Sequence, residues 1–228
     1  MTWPVAYKKL VRFLRELSCS AVYITPITAL DWALGRVRGY GQLVFEVAST
    51  VDKALLESSS DKAVLVGHSA GGILARAYIG GDPPYGGRRQ SGHRRVSHLI
   101  TLGTPHNVPR EGRLAPIAEV NKLFPGALHA EKGLRYLCVA GAAGDGLSSR
   151  RVRRRYERFV EDGRVRGDGE VPVEATLLPG AEHLVLDDLY HGRRRGFPGG
   201  RWYGSDKETV GRWWPEELRA GERLVGDS

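Results

Sequence analysis

The feature that most constrains the fold is a glycine-rich turn placed directly between a strand and a helix. The residues Ala63-Val64-Leu65-Val66 read as a buried strand and run straight into Gly67-His68-Ser69-Ala70-Gly71. The segment from Ile73 to Ile79 then carries the pattern of a helix. Strands that alternate with helices in this way predict an α/β architecture with a mostly parallel central sheet and helices on both faces.

The turn matches the pattern G-x-S-x-G, with Ser69 at its centre. A serine on a sharp strand-to-helix turn takes a strained backbone conformation. We expect that positions 67 and 71 require glycine, because a side chain at either one would collide across the turn. The hydroxyl then stands at a helix N-terminus, where developing negative charge is favoured. The pattern predicts Ser69 as a nucleophile on an elbow formed with Gly67, His68 and Gly71. A phosphate loop is disfavoured because no Gly-Lys-Ser/Thr follows.

A serine hydroxyl needs a base to take its proton, and the base needs a third group to orient it. In such folds the three residues follow the order Ser, Asp or Glu, His. Of the seven histidines, His183 and His191 flank the last predicted strand, Leu184-Val185-Leu186. We favour His191 because it follows that strand, at the carboxyl end where ligands bind in open α/β sheets. His183 enters the strand and stays as the alternative.

Two acids compete for the orienting role. Asp168 lies between glycines that let the backbone turn and aim its carboxylate at an imidazole. Asp145 comes just past a predicted strand, and it also fits an aspartate that forms a turn by bonding its own backbone. We favour Asp168 and keep Asp145 as the alternative.

The rest of the pattern predicts a single domain over residues 1–228. Surface or lid-like excursions are expected over residues 80–95 and 107–128. A capping box at Ser205-Asp206-Lys207-Glu208 predicts a late helix. The other predicted elements are a first helix from Val5 to Leu17, a strand from Ala21 to Thr25, a helix from Leu43 to Leu55, strands from Ser97 to Leu102 and from Arg135 to Ala140, and a helix face within Arg150 to Arg166.

Charge and composition exclude several classes of protein. The net charge is +8. Arginines spread along a chain, however, are typical of the base composition of the genome rather than of a site that binds polyanions. The runs Arg150-Arg151-Val152-Arg153-Arg154-Arg155 and Arg193-Arg194-Arg195 carry no interleaved aromatic residues, so no specific nucleic-acid partner is expected. Contact with an anionic membrane surface stays open.

Two cysteines, Cys19 and Cys138, argue against a disulfide framework or a cysteine-rich zinc fold, and no metal or cofactor is predicted. No apolar run approaches the roughly 20 residues that cross a bilayer. The amphipathic first residues differ from a secretory signal. We therefore expect a soluble, intracellular protein of the cytoplasm or a plastid, whose oligomeric state is open.

Four motifs, taken together, resemble the lipase-like serine hydrolases of the α/β-hydrolase fold, near the GPI inositol-deacylase-like group of plastid and cyanobacterial type. A tail at Trp202-Tyr203-Gly204-Ser205 is similar to that of the same group. The four motifs are Val66-Gly67-His68-Ser69-Ala70-Gly71-Gly72, Ile100-Thr101-Leu102-Gly103-Thr104-Pro105-His106, Gly167-Asp168-Gly169-Glu170-Val171-Pro172 and Val185-Leu186-Asp187-Asp188-Leu189-Tyr190-His191.

The resemblance implies Ser69 as nucleophile, Asp168 as acid and His191 as base, with the N–H of Ala70 forming half of the oxyanion hole. It implies hydrolysis of a carboxylic ester, either a small molecule or a lipid. Two alternatives remain open: an acyltransferase that uses the same triad, and a non-catalytic binding protein built on the same fold.

The sequence departs from this family at its beginning. The family usually opens with a strand and a short glycine-containing loop, whose N–H forms the other half of the oxyanion hole. The glycines before Gly67 are Gly35, Gly39 and Gly41, and none follows an early apolar strand. We therefore expect the sheet to lack its first strands. Because the loss of one oxyanion donor costs about 10²–10³ in rate, we also expect weakened turnover.

Overall fold

Strands and helices alternate along most of the chain. The computed structural model describes residues 4–18, 20–108, 114–192 and 200–220. The strands are β1 (Ala63–His68), β2 (Val96–Leu102), β3 (Arg135–Gly141), β4 (Gly144–Asp145), β5 (Arg166–Gly167), β6 (Glu182–Leu186), β7 (Leu189–Tyr190) and β8 (Arg201–Trp202). The helices are α1 (Pro4–Ser18), α2 (Ala29–Arg38), α3 (Gly41–Ser58), α4 (Ala70–Gly80), α5 (Ala115–Leu123), α6 (Arg150–Tyr156), α7 (Val173–Thr176) and α8 (Lys207–Trp213). Short 3₁₀ turns cover Gly92–Arg94, Ala130–Lys132 and Glu216–Leu218.

The central sheet has four strands in the order β1-β2-β3-β6, and all of its neighbours are parallel. Two short pairs lie beside it, β4 with β5 antiparallel and β7 with β8 parallel. The predicted class, a mostly parallel sheet flanked by helices, is confirmed. Parallel strands place their carboxyl ends at one edge of the sheet, so β1, β2 and β3 deliver the residues that follow them to a common region.

The alternation of side chains along the strands creates two hydrophobic cores, one on each face of the sheet. On β2, Leu99 packs into a core with residues of α3 and α4, while its neighbour Ile100 packs into a core with residues of α1 and α8. The first core includes Val47 and Ile73, and the second includes Trp213. This explains why β2 is apolar at successive positions: it is covered on both faces.

The strand predicted from Ala21 to Thr25 is wrong. Residues 21–28 have no regular secondary structure. A β-rich composition becomes a strand only where a neighbour completes its ladder of hydrogen bonds, and no described strand pairs with this segment. The segment instead leads into α2, which Thr28 and Asp31 begin with a reciprocal capping box.

The other predicted helices and strands of the chain are confirmed, with two shifts at helix ends. The helix within Arg150 to Arg166 ends at Tyr156. The late helix, α8, is capped by Asp206, whose side chain accepts the N–H of Thr209, and not by Ser205. The Ser205 hydroxyl accepts the N–H of Trp202 instead.

The β1 strand lies at the edge of the sheet, beside a cavity of about 730 Å³ lined by α1, α3, β1 and the segment 20–25. The N–H of Ala63 donates to the Arg95 carbonyl, and the N–H of Ser69 donates to the Leu102 carbonyl. The backbone N–H and C=O groups of odd-numbered β1 residues therefore point toward β2. Because parallel strands alternate, the N–H and C=O of Val64 and Val66 point away from β2. No backbone group of the described chain pairs with them.

The expected excursion over residues 107–128 contains α5, which packs closely on the rest of the protein. Ile117 and Val120 are buried in the first core. Arg76 of α4, itself buried, donates hydrogen bonds to the Asn121 side chain and to the carbonyl of Phe124 at the end of α5. In the part that is described, this excursion is therefore a docked helix. Residues 109–113 lie outside it.

No helix within the described ranges combines the length and the apolar character that crossing a membrane requires. Cys19 and the run from Arg193 to Arg195 lie outside the described residues, whereas Cys138 is a buried free thiol on β3.

Candidate active site

Ser69 forms the turn between β1 and α4, with φ 55° and ψ −131°. A residue other than glycine with positive φ stores about 1–3 kcal/mol of strain and persists only where its surroundings enforce it. Here the Ser69 N–H donates to Leu102, and its carbonyl accepts the Thr104 hydroxyl at 2.8 Å. The turn is therefore held by the loop that follows β2.

The glycines of the elbow differ from the expectation at one position. A Cβ on Gly67 would lie 2.4 Å from the Gly72 backbone, so Gly67 has to lack a side chain, as predicted. A Cβ on Gly71 would meet no described atom within 4 Å, so the predicted collision at Gly71 is wrong. The crowded position is Gly72, where a Cβ would lie 2.3 Å from the Thr104 hydroxyl. Gly71 and Gly72 both lie on the first turn of α4, but it is Gly72 that faces Thr104 in the loop after β2.

Asp168 and His191 form a buried acid–imidazole pair. The Nδ1 atom of His191 lies 2.7 Å from Oδ2 of Asp168. A carboxylate only accepts, so Nδ1 carries the proton. The backbone is joined as well, because the His191 N–H donates to the Asp168 carbonyl at 2.9 Å. The favoured acid and the favoured histidine are thus in direct contact.

The Asp168 carboxylate accepts three further hydrogen bonds. Oδ2 also accepts the Tyr203 hydroxyl at 2.9 Å. Oδ1 accepts the N–H groups of Val171 at 2.8 Å and Glu170 at 3.0 Å. Burial by itself raises the pKa of Asp168, but His191 and these two N–H groups outweigh it and hold the pKa below its usual value. The carboxylate is therefore ionised at neutral pH.

Gly103, the residue after β2, lies against this pair. Its φ is +56°, and a Cβ on it would lie 2.5 Å from Oδ2 of Asp168 and 3.1 Å from Nδ1 of His191. Glycine is required here both for the left-handed backbone and for the space. Since Thr104 bonds the carbonyl of Ser69, two consecutive residues of this loop contact the acid–imidazole pair and the elbow.

Two buried tyrosines that the sequence did not single out support the acid. The Tyr203 hydroxyl donates to Asp168 and accepts the Gly141 N–H at 2.8 Å; burial raises the pKa of Tyr203 well above its usual value. The Tyr156 hydroxyl accepts the Gly169 N–H at 2.8 Å, next to Asp168. The only available signals were the tail containing Tyr203 and the place of Tyr156 on a helix face.

His68, a residue of the elbow, lies against the acid–imidazole pair. Its ring centroid is 4.7 Å from that of His191, with an angle of 39° between the planes. Its Nε2 lies 2.7 Å from the His191 carbonyl, and its Nδ1 lies 2.9 Å from the Tyr7 hydroxyl. Burial, with a smaller contribution from His191, lowers the pKa of His68 to about 3, so the ring is neutral.

Asp145 and His183, the alternative acid and histidine, form hydrogen bonds with backbone groups elsewhere in the chain. The Asp145 carboxylate accepts the N–H of Leu147 at 2.8 Å, which is the bond of a turn-forming aspartate. His183 is the second residue of β6, and its Nε2 lies 3.0 Å from backbone atoms of Leu178. The structure places neither of them in the acid–imidazole pair.

One arginine of the run from Arg150 to Arg155 contacts the loop that carries Asp168. Arg155 of α6 donates to the Gly169 carbonyl at 3.0 Å and lies 3.3 Å from the Glu170 carboxylate. Arg158 lies 3.5 Å from the same carboxylate. Within the described residues, no group of three or more His, Cys, Asp or Glu side chains is arranged to hold a metal ion.

Comparison with known proteins supports the same fold. Residues 43–123 match the family model described as the PGAP1-like alpha/beta domain. The match covers the elbow and the loop after β2, and it ends before Asp168 and His191. Comparison with curated proteins gives no match. Together with the parallel sheet between two helical layers, the match identifies this chain as a protein with a hydrolase-type α/β fold.

Proposed function

We propose that this chain is a serine hydrolase that cleaves carboxylic esters, with Ser69 as nucleophile, His191 as base and Asp168 as the acid that orients it. One observation carries the proposal: the buried, fully hydrogen-bonded Asp168 carboxylate holds His191 by a 2.7 Å bond, and the His191 ring packs on the residue before the strained Ser69. A nucleophile, a base and an orienting group arranged in this order are the parts that acyl transfer needs.

In the proposed reaction the Ser69 hydroxyl attacks the ester carbonyl carbon while Nε2 of His191 takes its proton. The oxyanion faces the N–H of Ala70 at the start of α4. When the tetrahedral intermediate collapses, the alcohol leaves with the proton from His191. An acyl group then remains on Ser69. Water then gives a proton to His191 and attacks the acyl carbon. The acid leaves, and Ser69 regains its proton. Asp168 stays ionised and stabilises the imidazolium.

The finer proposal is a lipid or small-molecule ester as substrate. A net charge of +8 favours approach to an anionic membrane surface, where a lipid ester would be met. Hydrolysis of a short-chain ester that is unaffected by anionic vesicles would favour the small molecule. Hydrolysis that rises on such vesicles and falls with salt would favour the lipid.

A fluorophosphonate probe, which labels only an activated serine, tests the proposed function. We expect labelling of the folded chain, no labelling of Ser69→Ala, and labelling of His191→Ala lowered by about 10³-fold or more. His183→Ala is the matched histidine control and should label like the wild type. Absence of labelling in soluble, folded wild-type protein would contradict the proposal.

That negative result would support the non-catalytic binding protein. The edge of β1 favours this alternative, because no strand among the described residues pairs with the free side of β1, the strand nearest to Ser69. An acyltransferase would label as well. It is distinguished by adding an alcohol to the ester assay: a hydrolase releases mainly the free acid, whereas a transferase forms mainly the new ester.

A further inference from the structure

The main chain of His191 is held on both sides. Its N–H donates to the Asp168 carbonyl at 2.9 Å, and its C=O lies 2.7 Å from Nε2 of His68. The second bond is unusual because its donor is the residue immediately before Ser69. It therefore joins the proposed base directly to the strand that carries the proposed nucleophile, over a separation of 123 residues.

The chemistry of the partners fixes the direction of these bonds. A carbonyl only accepts, so Nε2 of His68 carries a proton. A neutral imidazole has one N–H, so Nδ1 of His68 accepts, and the Tyr7 hydroxyl 2.9 Å away is the donor. The resulting chain of bonds runs from the Tyr7 hydroxyl through the His68 ring to the His191 carbonyl. Tyr7 belongs to α1, so a helix on one face of the sheet selects the tautomer of His68.

We infer that His68 and Tyr7 are positioning residues that hold His191 in register with Ser69. This inference rests on the proposed function, since it gives His191 the role of base. His191 follows the two-residue strand β7, and so short a strand by itself does little to fix the loop after it. Asp168 orients the imidazole through Nδ1, while His68 fixes the backbone from which that imidazole extends and covers one side of its ring.

Substitutions separate the hydrogen bond from the volume of the ring. His68→Phe keeps an aromatic ring on His191 but removes the donor, so we expect fluorophosphonate labelling to fall by about 10²-fold, the usual effect of a misplaced catalytic group. His68→Gln places an amide N–H near the position of Nε2 and should restore most of the rate. Tyr7→Phe removes the bond that selects the tautomer and should cost about five- to tenfold.

His129→Phe is the matched control, because His129 also lies within hydrogen-bond distance of a backbone carbonyl, that of Gly80 at 3.1 Å, and is not a member of the proposed site. We expect wild-type labelling for it. With an ester substrate, the His68→Phe loss should lie in kcat with KM little changed, because the positioning bond acts on the base and not on substrate binding. Equal labelling of His68→Phe and His129→Phe in folded protein would overturn the inference.

Imidazole ¹⁵N NMR gives a readout that does not depend on turnover. We expect His68 to be neutral with its proton on Nε2, and the His191 Nδ1 proton to exchange faster with water in His68→Phe than in His68→Gln or the wild type. A His68 proton on Nδ1, or an unchanged His191 signal in His68→Phe, would overturn the positioning role. If the NMR result is as expected while the wild type resists the fluorophosphonate, the positioning contact stands and the proposed hydrolase fails.

Discussion

The two sides of Ser69 differ sharply in how completely their polar groups are bonded. On the side of the acid and the imidazole, Asp168 accepts four hydrogen bonds and its loop is held by Tyr156 and Arg155. On the side of the β1 edge, the backbone groups of Val64 and Val66 face a cavity of about 730 Å³.

This difference separates two requirements of the proposed reaction. Activation of the serine depends on the acid, the imidazole and their supports, and these are fixed by contacts among described residues. Stabilisation of the oxyanion normally takes two donors, and among the residues that the structure describes we assign one of them, the Ala70 N–H at the start of α4. The contacts of the acid and the imidazole are therefore complete among the described residues, whereas the proposed oxyanion site has one assigned donor.

The largest expected effect comes from breaking the bonded side. Asp168→Asn should lower fluorophosphonate labelling by about 10⁴-fold, because an amide no longer selects the His191 tautomer with its proton on Nδ1. Asp145→Asn, the matched acid control, should label like the wild type. Equal losses of labelling in the two variants would show that Asp168 is the wrong choice for the orienting acid.

An added strand beside β1 tests the other side. Fusion of an upstream segment with an apolar strand and a glycine-containing loop should raise labelling and ester turnover by about 10²–10³-fold if the loop adds a second oxyanion donor. The control is the same fusion with the strand sequence scrambled. If neither solubility nor turnover differs between the two fusions, the idea that an added strand at this edge completes the oxyanion hole is wrong.

A smaller loss is expected where the two sides meet, at Gly103. Gly103→Ala forces a methyl group to within 2.5 Å of Asp168 Oδ2 and strains a backbone with φ +56°. The acid and the imidazole have to move apart, so labelling should fall by about 10²-fold. Gly211→Ala in α8, where a Cβ meets nothing within 4 Å, is the control and should label normally. Normal labelling of Gly103→Ala would mean that the acid–imidazole pair tolerates displacement.

The smallest expected effect is on stability against pH. The pKa of His68 is lowered to about 3 in the folded protein, whereas the unfolded chain binds that proton near pH 6.5. Protons therefore favour the unfolded state, and the stability present above pH 6.5 is lost progressively as the pH falls toward 3. Buried His106 acts in the same direction, so only part of the slope belongs to His68.

Urea unfolding measured at pH 7 and pH 4.5 checks this. The urea midpoint of the wild type should be lower at pH 4.5 than at pH 7. The decrease should be smaller for His68→Gln, because glutamine cannot be protonated at that position. The difference isolates His68, because His106 is present in both proteins. An identical pH dependence for the two proteins would mean that His68 is not buried in its neutral form.

The sequence predicted most of what depends on neighbours along the chain. The elbow at Ser69 follows from a strand, a glycine turn and a helix in succession. The flanking glycines favour Asp168, and the position after the last predicted strand favours His191. The same local reasoning was wrong for Ala21 to Thr25, because a strand needs a partner that composition does not reveal. It was wrong for the collision at Gly71, since the close approach occurs one residue later.

By itself, then, the sequence determined the parallel α/β class and the local turn that strains Ser69. Only the tertiary structure decided which groups support the acid and the imidazole. The bond of Tyr203 to Asp168, the space at Gly103 and the bonds of His68 to Tyr7 and His191 join residues that are 35 to 123 positions apart. The physical reason is that hydrogen bonds and close contacts depend on position in space. That position follows from how two cores pack on one sheet, whereas helix, strand and turn preferences act within a few residues of the chain.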